Sequence, residues 1–174
     1  NLLAARSGDI IKILDAKNLE PRSKNRMDQE RWYPDEIDWI NDTAYIASFE
    51  HSLYCYSVND SLPLFGKRRL AGYHRQTIVL GDTVYRINYR GNLLAIPMHG
   101  QEFMNVDTIR LHDDDINCIC SYKGNILTGS DDGVLRMYNP ATKKEEVLFQ
   151  TQPEDEIWGL TVGAYDTMIA FNTS

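Results

Sequence analysis

The chain has 174 residues, 43 % of them hydrophobic and 25 % charged, a composition ordinary for a folded domain with one core. Its formal net charge of -7 excludes a general nucleic-acid binder, which needs a basic face to displace counterions. No apolar run approaches the roughly 18 residues of a membrane-spanning helix, and Asn1-Leu2-Leu3-Ala4-Ala5 lacks the basic-then-apolar layout of a signal peptide.

Along the chain, a polar turn feeds an apolar strand four times. Arg6-Ser7-Gly8-Asp9 precedes Ile10 to Leu14, and Ser48-Phe49-Glu50-His51 precedes Ser52 to Tyr56. Tyr89-Arg90-Gly91-Asn92 precedes Leu93 to Pro97, and Ser130-Asp131-Asp132-Gly133 precedes Val134 to Tyr138. The strand starts at 10, 52, 93 and 134 lie 42, 41 and 41 residues apart. A fixed spacing of roughly 40–45 residues predicts an all-β fold, a WD40-type β-propeller, of which about four blades fit in this length.

Leu2 to Leu14 is expected to supply two strands, so that residues 1–16 form a partial blade. The competing expectation is a short amphipathic helix over Asp9 to Leu19, capped by Ser7 or Asp9. Strands are favoured because these residues align in register with Asn125 to Tyr138. Residues 17–31 are basic, polar and turn-rich and are expected to be a mobile connection. From 32 to 174 the repeats continue as about three blades and the start of the next. Lys67-Arg68-Arg69 reads as a solvated strand edge, where cations block edge pairing. Pro97 removes a ladder donor and is expected to shorten its strand. The best-formed unit has four strands, Ile116 to Cys120, Ile126 to Thr128, Val134 to Tyr138 and Glu145 to Phe149. The first of them alternates as a half-buried strand should.

Cys55, Cys118 and Cys120 are odd in number and fall in apolar strand patterns, so they are expected to be reduced core thiols of a cytoplasmic or nuclear protein. Asp113-x-Asp115-x-Asn117 opens like a calcium loop, but Cys118 stands where glycine is needed and Gly124 where glutamate is needed. His112, Cys118 and Cys120 have no second ligand pair at zinc spacing. There is no nucleophile elbow and no glycine-rich phosphate loop. The expectation is a non-catalytic binding module with no metal and no cofactor, contacting neither nucleic acid nor membrane.

In a propeller blade, the loop entering the first strand and the turn between the second and third emerge on the same face. Asp113-Asp114-Asp115, Asp131-Asp132 and Glu154-Asp155-Glu156 are therefore expected side by side on one rim, favouring a basic partner segment. The rim residues expected to bind a partner are Phe49, Glu50, Arg90, Asp114, Asp131, Glu156 and Trp158, because aromatic and arginine anchors dominate such interfaces. Trp158 reads equally as a blade-packing residue.

The run from His112 to Tyr138, through Leu127-Thr128-Gly129-Ser130-Asp131-Asp132-Gly133, resembles a WD40 repeat. The resemblance implies that the family's hydrogen-bonded tetrad, a scaffold device, falls on His112, Thr128, Asp132 and Tyr138, with tyrosine in place of tryptophan. No repeat carries the Trp-Asp pair intact, since Leu14-Asp15, Tyr56-Ser57, Pro97-Met98 and Tyr138-Asn139 stand there. Arg31-Trp32-Tyr33-Pro34, Trp39 to Ala47, Arg68 to His74 and Gln150 to Trp158 are together similar, in order and spacing, to F-box/WD-repeat proteins. That likeness implies the substrate receptor of an SCF-type cullin–RING ubiquitin ligase, whose propeller face holds a target protein for ubiquitination and proteasomal degradation. No F-box pattern is visible here, so Skp1 and cullin are expected to bind through an F-box outside this chain.

Overall fold

A computed structural model describes the chain except residues 1, 8–9, 27–35, 42, 50, 59–63, 71–73, 100–101, 153 and 164–167. Every described element is a strand, and every described pairing is antiparallel. The first sheet has three strands, β1 (Leu2–Ser7), β2 (Ile10–Asp15) and β3 (Pro21–Arg26). The second has four, β4 (Glu36–Asn41), β5 (Ala44–Phe49), β6 (Ser52–Ser57) and β7 (Leu64–Arg69). The third is built from β8 (His74–Leu80), β9 (Thr83–Asn88) and β10 (Asn92–His99), with β11 (Glu102–Phe103) and β12 (Asp107–Arg110) both pairing with β10. The fourth contains β13 (Ile116–Tyr122), β14 (Asn125–Ser130), β15 (Val134–Asn139) and β16 (Lys144–Gln150), in that spatial order. A two-stranded sheet, β17 (Ile157–Val162) and β18 (Ile169–Thr173), follows.

The helix alternative for the first block is displaced by a ladder in which Leu3 faces Leu14 and Ala5 faces Lys12. Part of the segment expected to be a connection, 17–31, is instead ordered as β3, because its backbone completes the ladder of β2, with Lys12 opposite Lys24. Residues 27–31 lie outside the described set. Pro97 does not shorten its strand, since β10 runs for eight residues. On its outer edge β10 pairs with β12 over Asn92–Ala95 and with β11 over Met98–His99, and Pro97 falls in the gap between them, where a missing N–H costs least.

The repeat spacing is also corrected. The strands that follow the repeated turns, β2, β6, β10 and β15, start at Ile10, Ser52, Asn92 and Val134, so the steps are 42, 40 and 42 residues. Ile87 opposite Leu93 occupies the hairpin step that Gly129 opposite Leu135 occupies one sheet later. A uniform step of 41 residues back from Gly129 and Leu135 reaches Asn88 and Leu94, one residue too far along.

The chain falls into two compact units, Asn1–Ala71 with Met98–Met104, and Gly72–Pro97 with Asn105–Ser174. The first unit is held by an aromatic-rich core. Tyr45, Phe49 and Tyr54 are buried with Ile11, Ile13 and Ala47, and the Tyr45 and Tyr56 rings stack at 5.5 Å. Lys67, on β7, lies 4.8 Å from the centre of the Tyr54 ring, so this strand-edge cation also covers core aromatic surface.

The second unit has a mostly aliphatic core of Ile87, Leu93, Leu111, Ile116, Ile119 and Ile126, closed by Tyr85 and Tyr138. Cys118, Leu135 and Ile157 form a separate buried group on the opposite face. β13 does not keep the simple alternation expected of it. A register shift between Ile116 and Cys118 turns Ile116 and Ile119 to one face and Cys118 to the other, and Asn117 is buried. Burial pushes the Cys55, Cys118 and Cys120 thiols up to about 11, so they are protonated, unreactive sulfur at neutral pH.

Candidate functional site

In the second unit, loops from successive sheets are stitched to one another by backbone hydrogen bonds. The stitch begins at the β9–β10 turn, where Gly91 has φ +67° and its carbonyl accepts from Leu111 N–H at 2.9 Å and His112 N–H at 3.1 Å. A side chain at 91 would meet the His112 carbonyl oxygen at 2.1 Å, so only glycine allows the two segments to approach.

The same device recurs at the β14–β15 turn. Gly133, at φ +73°, accepts from Thr151 N–H at 2.9 Å, and a Cβ there would meet Thr151 Oγ1 at 2.2 Å. Asp131 N–H donates to the Asp115 carbonyl at 3.0 Å, joining this turn to the loop that enters β13. Asn117 donates from Nδ2 to Asp131 Oδ1 and, at 3.2 Å, to the Ile157 carbonyl, carrying the link to β17. Beyond it Glu156 N–H donates to Ser174 Oγ at 3.1 Å, and Ser174 N–H to the Glu156 carbonyl at 3.1 Å.

Within this frame a buried polar relay fixes the β13 entry loop. His112 is 1 % exposed, with Nε2 2.8 Å from Thr128 Oγ1 and Nδ1 3.1 Å from the Asp132 carboxylate. An ionised carboxylate only accepts, so Nδ1 donates to it, while Nε2 shares a hydrogen bond with the threonine hydroxyl. Asp132 also accepts from Asp113 N–H and Val134 N–H, both at 3.0 Å. Burial pushes its carboxyl upward, but the His112 hydrogen bond and charge together with these two N–H groups outweigh burial and leave it at about 2. Tyr138 is brought to the same sheet but not to the relay. Among the described residues it makes no hydrogen bond to Thr128 and packs in the aliphatic core.

The three acidic segments thus meet along one rim of this unit, flanked by the β9–β10 turn with exposed Tyr89 and Arg90. Among the described residues Asp113, Asp114, Asp131, Glu154, Asp155 and Glu156 form no ion pair. Of the residues expected to bind a partner, Arg90 and Asp114 are exposed, Asp131 and Glu156 are half-buried, and Trp158 is 46 % exposed. Phe49 is not a rim residue. It is 3 % exposed, lies edge-on to Tyr54 at 5.1 Å, and ends β5, a strand buried along its whole length. Glu50 lies outside the described residues.

Two contributors escaped the sequence reading. Asn117 was masked by the bulge in β13. Arg110, whose Nη1 donates to the Arg90 carbonyl and Nη2 to the Asp113 carbonyl at 2.9 Å, carries no motif at all.

No protein-family model and no curated protein matches the sequence. Solved structures do. The C-terminal WD40 domain of Sif2 aligns over 99 % of this chain with a TM-score of 0.69 and 12 % identity. The β-propeller domain of Cps50 (Swd1) from Myceliophteria thermophila aligns over 98 % with a TM-score of 0.73 and 11 % identity. The chain spans about half the length of these propellers, 49 % and 58 % respectively. At such identity the likeness speaks for architecture, and with the ladders and turns above it shows that this all-β chain has the WD40-type β-propeller fold, about four blades of it.

Proposed function

We propose that this chain is a non-catalytic protein-docking module whose acidic rim holds a basic segment of a partner protein. The observation that carries this reading is the stitching of Asp113–Asp115, Asp131–Asp132 and Glu154–Glu156 into one rim, with exposed Trp158 close by in sequence. Among the described residues the carboxylates of Asp113, Asp114, Glu154, Asp155 and Glu156 form no ion pair, so they remain available to a partner's lysines and arginines. Asp114→Lys with Glu156→Lys is expected to weaken binding of a lysine- and arginine-rich peptide by about tenfold at low salt, read by fluorescence anisotropy. Unchanged affinity would remove the rim from consideration.

A narrower reading follows from the sequence likeness. Arg31-Trp32-Tyr33-Pro34, Trp39 to Ala47, Arg68 to His74 and Gln150 to Trp158 resemble F-box/WD repeat-containing protein 4 (dactylin). On that reading the chain is the target-binding part of an SCF-type ubiquitin ligase receptor working in the cytoplasm or nucleus. Skp1 and cullin would bind through an F-box outside these residues. Its contribution would be proximity, raising the effective concentration of target lysines near the charged E2 enzyme. Affinity capture of the full gene product tests it, since recovery of intact protein without Skp1 or a cullin would leave only the general docking role.

A further inference from the structure

We infer that Arg110 is a positioning residue of the acidic rim, an inference that rests on the docking role proposed above. Arg110 ends β12, and its guanidinium forks between two backbone carbonyls, that of Arg90 in the β9–β10 turn and that of Asp113 in the loop entering β13. A planar guanidinium suits this task because its donors leave in fixed, divergent directions.

The Asp113 residue is consequently held at both ends. Its N–H donates to Asp132 Oδ2 at 3.0 Å, and its carbonyl accepts from Arg110 Nη2 at 2.9 Å. The next residue, Asp114, uses Oδ1 to accept from Asp115 N–H at 2.9 Å, which continues the fixed path of the loop. On the other side of the fork, the turn is pinned by Gly91, whose carbonyl accepts from Leu111 and His112. Arg110 thereby ties the turn that carries Arg90 to the loop that carries Asp113 and Asp114, without forming an ion pair with any carboxylate among the described residues.

The positioning role and a simple charge role have opposite signs. If Arg110 acted only through its charge, removing that charge beside a row of carboxylates would tighten binding of a basic peptide. If it acts by holding the loop, removal loosens the carboxylates and weakens binding, although the rim becomes more negative. Lysine separates the two further, because it keeps the charge but has no fork to span two carbonyls.

The test uses the whole chain with Arg110→Gln and Arg110→Lys. The probe is a fluorescently labelled peptide of alternating lysine, glycine and arginine, and amide hydrogen exchange is measured on the same proteins. Both variants are expected to weaken the peptide by about threefold to tenfold and to speed exchange at Leu111, His112 and Asp113 by about fivefold or more. Amides of Leu127 to Gly129 should stay protected, showing that the sheet is intact. Tighter binding by the glutamine variant, wild-type behaviour of the lysine variant, or unchanged exchange at the three amides would each overturn the inference. Failure of the wild-type chain to bind the peptide would remove the docking role instead, and exchange would still decide whether Arg110 holds the loop.

Discussion

The β9–β10 and β14–β15 hairpins can be compared step for step, because Ile87–Leu93 and Gly129–Leu135 are equivalent pairs. Both turns carry a glycine at positive φ four residues after that first position, Gly91 and Gly133, and both use its carbonyl to receive the loop entering the next sheet. The side chains around this shared device differ completely. Thr128 and Asp132 build a relay with His112, whereas the corresponding steps hold Arg86, which is fully buried, and Arg90, which is exposed. Blade-to-loop attachment is therefore a backbone property that the repeat conserves within this chain. The polar relay is an addition confined to one of the two hairpins, and the charge presented at the rim is free to change sign between them.

Breaking the shared device should have the largest effect. Gly91→Ala forces a Cβ to within 2.1 Å of the His112 carbonyl oxygen at a φ that side chains disfavour. The expected loss is about 3 kcal/mol or more in urea unfolding, since the clash adds to the backbone cost. A loss below about 1 kcal/mol would mean that the turn and loop separate without penalty.

Next in size is the step where one hairpin has Ile87 and the other Gly129. A Cβ at 129 would lie 2.4 Å from Ile157 Cγ2 and 2.8 Å from Cys118 Sγ, so the space beside Gly129 is already taken by these two buried side chains. Gly129→Ala should cost about 2 kcal/mol through overpacking. Combining it with Ile157→Ala, which removes the Cγ2 that the new Cβ meets, should return part of that loss in a double-mutant cycle, and strict additivity would show the two sites to be uncoupled.

This pair of positions also shows what the sequence could and could not convey. The periodic turns and apolar runs gave the strands, the propeller and the adjacency of the acidic segments, because each depends on local chemistry repeated at regular spacing. The hairpin register did not follow, since a one-residue difference in strand start is invisible when Leu93 and Leu94 are both apolar. Phe49 looked like a rim aromatic because it follows Ser48 and precedes Glu50, yet it ends a strand buried on both faces. Burial on a second face depends on which strands lie above it, which no local pattern records. Arg110 was silent because both of its partners are backbone carbonyls, which carry no side-chain signal, and one of them, that of Arg90, comes from the preceding hairpin turn.

The relay supplies the third and smaller effect. Asp132→Asn leaves His112 Nδ1 and the amides of Asp113 and Val134 facing a poorer acceptor, for an expected loss of about 1–2 kcal/mol at neutral pH. The pH dependence has a definite sign. The Asp132 carboxyl is held at about 2 against its ordinary 3.8, so its contribution is complete above about pH 4 and disappears as pH falls toward 2. The wild-type chain should therefore lose stability more steeply than the asparagine variant across that window. Parallel curves would show that the carboxylate is no better satisfied in the fold than in the unfolded chain.

The smallest effect on stability, and the sharpest on the rim, should come from making the two turns alike in charge. Arg90→Asp places at the exposed step of the β9–β10 turn the residue type found at the equivalent step of the other. The Arg90 side chain has no ion pair among the described residues, so stability should move by less than about 0.5 kcal/mol. The rim, however, becomes more negative by two charges where it is exposed, and a basic peptide should bind about threefold to tenfold more tightly at low salt. Most of that gain should lie in the association rate and fade at high salt, because screening acts first on exposed charges. Equal affinity at low salt would place the peptide away from this turn even if the other acidic loops hold it. A gain that persists at high salt would instead require a close, desolvated contact at position 90, which an exposed turn residue does not provide.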